Sequence, residues 1–259
     1  MRALRPFAAA LLAACAVSLQ AHAVGSLADV RIYDRTLDRE LAVYWHDGRA
    51  YLEGRPGDEY EVRVRNTAGG DLLAVVSVDG VNAVTGQTAK PSQGGYVLGP
   101  WERTDVRGWR KSLEETAAFY FTSLGDSYAA RTGRPDNVGV IGVALFRRAV
   151  RYPTPLSQLA PEAESRAKRE SADAATARGN GFALPSAPLG TGHGRREDSP
   201  ARYTEFERAT AEPAETIAIY YDSRRNLVAQ GVIPHREHYG RRDPEPFPGG
   251  FVPDPGYRR

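Results

Sequence analysis

Leu189–Asp198 reads LGTGHGRRED: three alternating glycines enclose His193, and the pair Arg195-Arg196 follows. Residues of these types can cradle a phosphate, support a catalytic imidazole or anchor a loop. The phosphate reading fails on spacing. A Walker loop ends in Gly-Lys-Ser/Thr and runs into a helix, and a dinucleotide fingerprint needs GxGxxG between strand and helix. Here Gly190, Gly192 and Gly194 give GxGxG, preceded by a linker-like stretch and followed by strand-like segments. The catalytic reading makes His193 a weak candidate base, since imidazole titrates near neutral pH. Glu197 or Asp198 would orient it, with Thr191 or Ser199 as nucleophile. The third reading is a connector whose glycines bend the chain while His193, Arg195 and Arg196 dock it.

A second candidate is TSLGDSYAARTGRPDN, residues 122–137, between two apolar segments. Long ordered loops on a rigid sheet often carry binding function. Asp126, Tyr128, Arg131 and Arg134 supply donors and acceptors, and either arginine suits a carboxylate or phosphate. The alternative is an internal Asp126–Arg131 pair that holds the loop's shape. Trp101 and Trp109 flank an arginine-bearing segment, which suits either partner binding or one buried indole. No metal site is expected. His235 and His238 lack the i, i+4 spacing of a helical pair, and Asp79-Gly80-Val81-Asn82 lacks the downstream glutamate of a calcium loop. No cofactor is expected either.

Charge and cysteine content bound the partners. The chain has 34 Lys+Arg and 32 Asp+Glu. Its start has a positive n-region (Arg2, Arg5), an apolar stretch and Ala21-His22-Ala23, the pattern of a signal peptide at 1–23. Cleavage there removes two arginines and leaves 32 of each sign, a neutral product unlike the usual basic nucleic-acid binder. It also removes Cys15, the one cysteine, so disulfides, thiolate metal sites and a cysteine nucleophile are excluded. The alternative is a lipobox, Leu12-Ala13-Ala14-Cys15, with a lipid anchor at Cys15. No apolar run approaches the roughly 20 residues of a transmembrane helix. Lysines are few (Lys90, Lys111, Lys168), which reflects either a GC-rich genome or the use of arginine's planar fork for carboxylate or phosphate partners.

The elements that must position these residues read as strands. YEVRVRN alternates Tyr60, Val62 and Val64 against Glu61, Arg63 and Arg65, a half-buried antiparallel strand. LLAVVSV is apolar on both faces, and VGVIGVALFRR nearly so, with Gly139 and Gly142 marking a bulge or close approach. His46-Asp47-Gly48-Arg49 and Asp79-Gly80 are turns. SLEETAAF has one turn's worth of helix character. Regular spacing of short strands predicts an all-β fold, an antiparallel β-sandwich over 24–150. Residues 151–188 are rich in Pro, Ala, Ser and charge and predict a flexible, disordered linker. RYTEFERA, TIAIYYDS and NLVAQGVI predict a C-terminal three-stranded meander over 189–236 that docks on the sandwich, the last two joined around Ser223-Arg224-Arg225-Asn226. The Pro/Gly/Arg-rich tail, 237–259, predicts disorder.

AVVSVDGVNAVTGQTA, GYVLGPWERTDVRGWRKS and DSYAARTGRPDNVGVIGVALF, with LGTGHGRREDSPARYTEFERA and IYYDSRRNLVAQGVI, resemble a group of exported bacterial proteins of unknown function. The resemblance spans roughly 24–148 and 189–233. It implies the two-segment layout and carries over no activity, cofactor or site residue. The sequence favours an exported, periplasmic or secreted binding module of the cell envelope, with a protein or glycan partner, no nucleic acid and no transmembrane span. Its binding residues are Asp126, Tyr128, Arg131, Arg134, His193, Arg195 and Arg196. The alternatives are a hydrolase using His193 and an assembly protein pairing through its C-terminal strands.

Overall fold

Two Asp-Gly pairs set the first tight turns. Asp47 and Gly48 have φ of 47° and 72°, and Asp79 and Gly80 have 52° and 71°. Both central residues therefore take the left-handed conformation that two-residue hairpins require. The computed structural model describes residues 24–150 and 187–234. In chain order it contains β1 (Ala28–Asp34), β2 (Arg39–Glu40), β3 (Val43–His46), β4 (Arg49–Glu53), β5 (Glu59–Asn66), β6 (Leu72–Val78) and β7 (Val81–Asn82). Then come β8 (Tyr96–Leu98), β9 (Arg103–Val106), β10 (Gly108–Arg110), β11 (Glu115–Ser123), helix α1 (Tyr128–Arg131) and β12 (Val140–Arg147). The second segment supplies β13 (Leu189–Asp198), β14 (Glu215–Asp222) and helix α2 (Arg224–Ala229).

The strands form two sheets packed face to face, the all-β sandwich that the patterning predicts. Sheet A runs β10-β11-β5-β1-β2, with β9 also on β5 and β13 on β11. Sheet B runs β3-β4-β14-β12-β6-β7, with β8 also on β6. Pairing is antiparallel except between β14 and β4. The core between the sheets buries Tyr60, Val62, Val64, Phe119 and Phe121 from sheet A against Ile141, Val143, Leu145, Ile217 and Ile219 from sheet B. The Tyr60 ring stacks on Phe121 at 4.3 Å and on Phe119 at 5.5 Å. β6 is buried on both faces for an identifiable reason. Its outward Leu73 and Val75 join Ala144 and Phe146 in a second cluster, packed against Val97 and Phe206. The Arg208 guanidinium lies 4.0 Å from the Phe146 ring and donates to the Gln93 carbonyl at 2.6 Å.

The second segment differs from the predicted meander. LGTGHGRRED is itself a ten-residue strand, β13, paired with β11 in sheet A, rather than a bend before one. β14 lies inside sheet B, hydrogen-bonded to β12 on one side and β4 on the other. It therefore offers no free edge for pairing between chains. RYTEFERA forms no strand; Arg208 alone makes a bridge, to Arg148. SLEETAAF likewise gives no helix, because Glu115 opens β11.

NLVAQGVI contributes to helix α2 and its closing turn, not to a strand. Ser223 caps its start, accepting from the Asn226 amide at 3.2 Å. Gly231, at φ 76°, ends it. The Val232 amide reaches the Leu227 carbonyl at 2.9 Å and the Gly231 amide reaches Val228 at 3.0 Å, the paired bonds of a Schellman stop. Leu227, Val232 and Ile233 then pack on Tyr44 and Tyr51. The signal peptide with Cys15, residues 151–186 of the linker, His235, His238 and the tail lie outside the described residues. Among the described residues no helix is long and apolar enough to cross a membrane.

The helix assignment is testable at its cap. Ser223→Ala is expected to cost about 1 kcal/mol in urea unfolding, and Ser223→Asp to restore most of it. Equal stability of all three proteins would contradict a capped helix here.

Candidate functional site

β13 is positioned from its buried face. Leu189 and Thr191 point into the sandwich, where Thr191 meets three polar groups in the core. The Asp79 carboxylate accepts from the Thr191 amide at 2.7 Å, the Gly139 amide at 2.9 Å and the Tyr221 hydroxyl at 2.5 Å. The Thr191 hydroxyl lies 2.7 Å from the Tyr221 hydroxyl and 2.5 Å from that of Tyr60. A carboxylate only accepts, so it orders the chain: Tyr60 donates to Thr191, Thr191 to Tyr221, and Tyr221 to Asp79. Asp79 is 1 % exposed. Burial pushes its carboxyl above the ordinary range, while Tyr221 and the backbone amides pull it down. Burial, with the Asp79 charge, holds both tyrosines well above their ordinary value. Asp222, at the end of β14, repeats the device, accepting from the Leu189 amide at 3.3 Å. Two outward amides of this edge strand are thereby satisfied from sheet B.

The glycines serve β13's other face. Gly192 lies directly opposite Tyr120, and a Cβ there would fall 2.2 Å from the Tyr120 ring. The ring fills the space that a side chain would take. Between Ala117↔Arg196 and Phe119↔His193 the register shifts. Two residues, Gly194 and Arg195, oppose the single Ala118, a bulge that re-aims the strand. As a result Arg196 shares the inward side with His193, while Glu197 stays on the outer face.

That outer face is an arginine–carboxylate lattice. Arg195 grips Glu59 through two bonds of 3.0 Å, and Arg35 grips Glu197 at 2.9 and 2.7 Å. Buried Glu61 faces Arg63 at 2.8 Å, Arg107 at 3.4 Å and Arg35 at 3.9 Å. Arginine's fork is thus used largely inside the chain.

His193 faces the mouth of the sandwich. Its ring lies 5.4 Å from Tyr128, which in turn lies 4.9 Å from buried Trp109. Trp109 donates to the Gly192 carbonyl at 3.3 Å. The two stretches nominated separately, 122–137 and 189–198, therefore meet at one place. Burial lowers the His193 pKa below 6.5, and the positive charges of Lys111, Arg196 and Arg131 lower it further, against one backbone hydrogen bond. Lys111 and Arg131 have no carboxylate partner among the described residues, while Arg196 meets Glu115 at 3.3 Å.

The remaining nominated residues separate from this group. Arg134 supports it from behind, donating to the Gly86 carbonyl at 3.0 Å and to Thr132 at 2.8 Å. Asp126 accepts from Ser123 at 2.8 Å, so no Asp126–Arg131 pair forms the loop. Arg195 belongs to the outer lattice. Among the described residues no hydrogen bond joins His193 to Glu197, Asp198, Thr191 or Ser199. Thr191 is committed to the core, and the Ser199 hydroxyl accepts from Arg110 at 3.1 Å. Trp101, by contrast with Trp109, is 61 % exposed. Sequence reasoning missed the Asp79–Thr191–Tyr221–Tyr60 chain; the Asp79-Gly80 pair reads only as a turn, and its partners are remote in sequence.

No group of three or more metal-ligating side chains occurs among the described residues. A cleft of about 330 Å³ lies at the sheet edge between Asp34, Arg39, Tyr44, Glu53 and Arg224, and Glu53 there pairs with Arg55 and Arg224. Compared with known proteins, the chain matches no family model, no curated protein and no solved structure.

Two outcomes follow from this geometry. Asp79→Asn presents an amide where three donors converge, and is expected to cost about 1–3 kcal/mol in denaturant unfolding; unchanged stability would remove the carboxylate's role. His193, followed by its ring proton in an NMR titration, is expected to titrate below 6.5 and to move upward in Lys111→Ala. No movement would place Lys111 out of electrostatic reach.

Proposed function

We propose that this chain is an exported, non-catalytic binding module of the bacterial cell envelope, which presents His193, Lys111, Arg131 and Arg196 to an acidic partner. One observation carries the reading. Two stretches far apart in sequence converge on a half-buried imidazole within electrostatic reach of three cations, two of which lack a described carboxylate partner. A general base needs a group to orient it and a proton to take, and the described side chains supply His193 with neither. Unpaired cations on a rigid edge favour an anion instead, through charge-assisted hydrogen bonds. The signal-peptide pattern at 1–23 supports export, and the lipobox at Cys15 would tether the same module to a membrane.

The sign of the pH dependence follows. Near pH 7.5 the imidazole is neutral, and a bound anion favours its charged form. Binding is therefore expected to tighten as pH falls toward 5.5, and to weaken with added salt. Fluorescence anisotropy with labelled poly-L-glutamate measures both. The double variant Lys111→Ala/Arg131→Ala is expected to bind about tenfold more weakly, and His193→Gln to lose the acid enhancement. Equal affinity of the double variant and the unaltered protein would exclude this edge as the binding face.

A further inference from the structure

A second cleft opens beside the outward tyrosines of sheet B, and none of His193, Lys111, Arg131 and Arg196 lines it. Tyr51 and Tyr220 are direct partners in the parallel β4–β14 pair, so their rings lie side by side, centroids 5.5 Å apart and tilted by 34°. The Arg49 guanidinium lies 5.5 Å from the Tyr220 ring, and His46 meets Tyr51 edge-on at 6.4 Å. Together the two tyrosines make a floor of half-buried aromatic surface. Helix α2 and the backbone at Gly139 and Pro188 wall it into a cleft of about 170 Å³, with Asp222 and Gln230 in its lining. That is below the roughly 300 Å³ of sites for drug-sized ligands, so the cleft suits a single ring.

The polar groups are unequally used. Asp222 Oδ1 accepts from the Ser223 amide at 2.7 Å, the Asn226 side-chain amide at 2.9 Å and the Leu189 amide at 3.3 Å. These contacts lock the carboxylate's orientation, and no described residue donates to Oδ2. The Gln230 side-chain amide has no hydrogen-bond partner among the described residues, although its backbone closes α2. An aromatic floor of two tilted rings beside one oriented acceptor and one free amide matches the two surfaces of a sugar: a C–H face that stacks, and edge hydroxyls that both donate and accept. An anion is disfavoured by the Asp222 charge.

We propose that this cleft binds one neutral pyranose unit of a glycan, stacked on Tyr220 and Tyr51 with adjacent hydroxyls held by Asp222 Oδ2 and the Gln230 amide. The site shares no lining residue with the basic edge and does not require it. Gln230 is then a specificity group, since the helix needs its backbone and not its side chain.

Saturation-transfer NMR on the full chain tests the proposal, with the methyl glycosides of glucose, galactose, mannose and N-acetylglucosamine as probes. At least one is expected to receive saturation, strongest at its ring C–H protons, with a dissociation constant in the millimolar range. Tyr220→Ala is expected to weaken it about tenfold. Gln230→Ala, at an exposed position that leaves the fold intact, is expected to weaken it severalfold. Lys111→Ala/Arg131→Ala is expected to leave it unchanged, which separates this site from the anion-binding edge. Absence of transfer to all four glycosides, or equal transfer in the unaltered protein and a folded Gln230→Ala variant, would overturn the proposal.

Discussion

The Asp79 carboxylate is the contact on which the arrangement of this molecule depends. It lies at the turn that ends β6, in sheet B, yet it holds the Thr191 amide of β13, in sheet A, and the Tyr221 hydroxyl of β14. Those partners are 112 and 142 residues away in sequence. A carboxylate taken out of water is costly unless every lone pair it offers is used. Here backbone amides and a tyrosine hydroxyl satisfy it, and Thr191 and Tyr60 extend the chain of donors. Few other backbone placements present that set of donors at that point. The network therefore specifies where the second segment joins the first, beyond what apolar packing alone selects.

From that anchor the two faces of β13 acquire different work. Tyr120 fills the space over Gly192, so the glycines of the motif are packing residues that let an aromatic ring lie on the backbone. The bulge opposite Ala118 then divides the charged end of the strand. Arg195 and Glu197 enter the outer lattice with Glu59 and Arg35, where their charges are neutralised. His193 turns toward Tyr128 and the mouth of the sandwich, while Arg196 meets Glu115 on β11. One strand thus sends Arg195 and Glu197 to the outer lattice and His193 to the opposite face.

Much of the first segment was legible from sequence because its signals are local. Strict alternation in YEVRVRN marks β5, unbroken apolarity marks β6, and the Asp-Gly pairs mark their turns. The second segment was less legible because its partners are remote. Nothing near TIAIYYDS says that its neighbours are β12 and β4, and a glycine-rich strand has almost no β-propensity of its own. NLVAQGVI misleads for a similar reason: its apolar residues fit a strand, while Ser223 and Gly231 punctuate a helix and its stop. In the candidate site, residue types singled out His193, Tyr128 and Arg131, and the structure brings them together. Their distance from Asp126 and Arg195 depends on a hydrogen bond to Ser123 and on a bulge, neither of which spacing reveals.

The central claim is that the edge built on His193 is the face that meets an acidic partner. It is tested most directly by mapping the backbone and arginine side-chain NMR resonances of the full chain while poly-L-glutamate is added at low salt. The account predicts that shift changes concentrate at Lys111, Tyr128, Arg131, His193 and Arg196, with the His193 ring moving toward its charged form. Changes centred instead on Arg35, Arg63 and Arg107 of the outer lattice, with His193 unmoved, would contradict it.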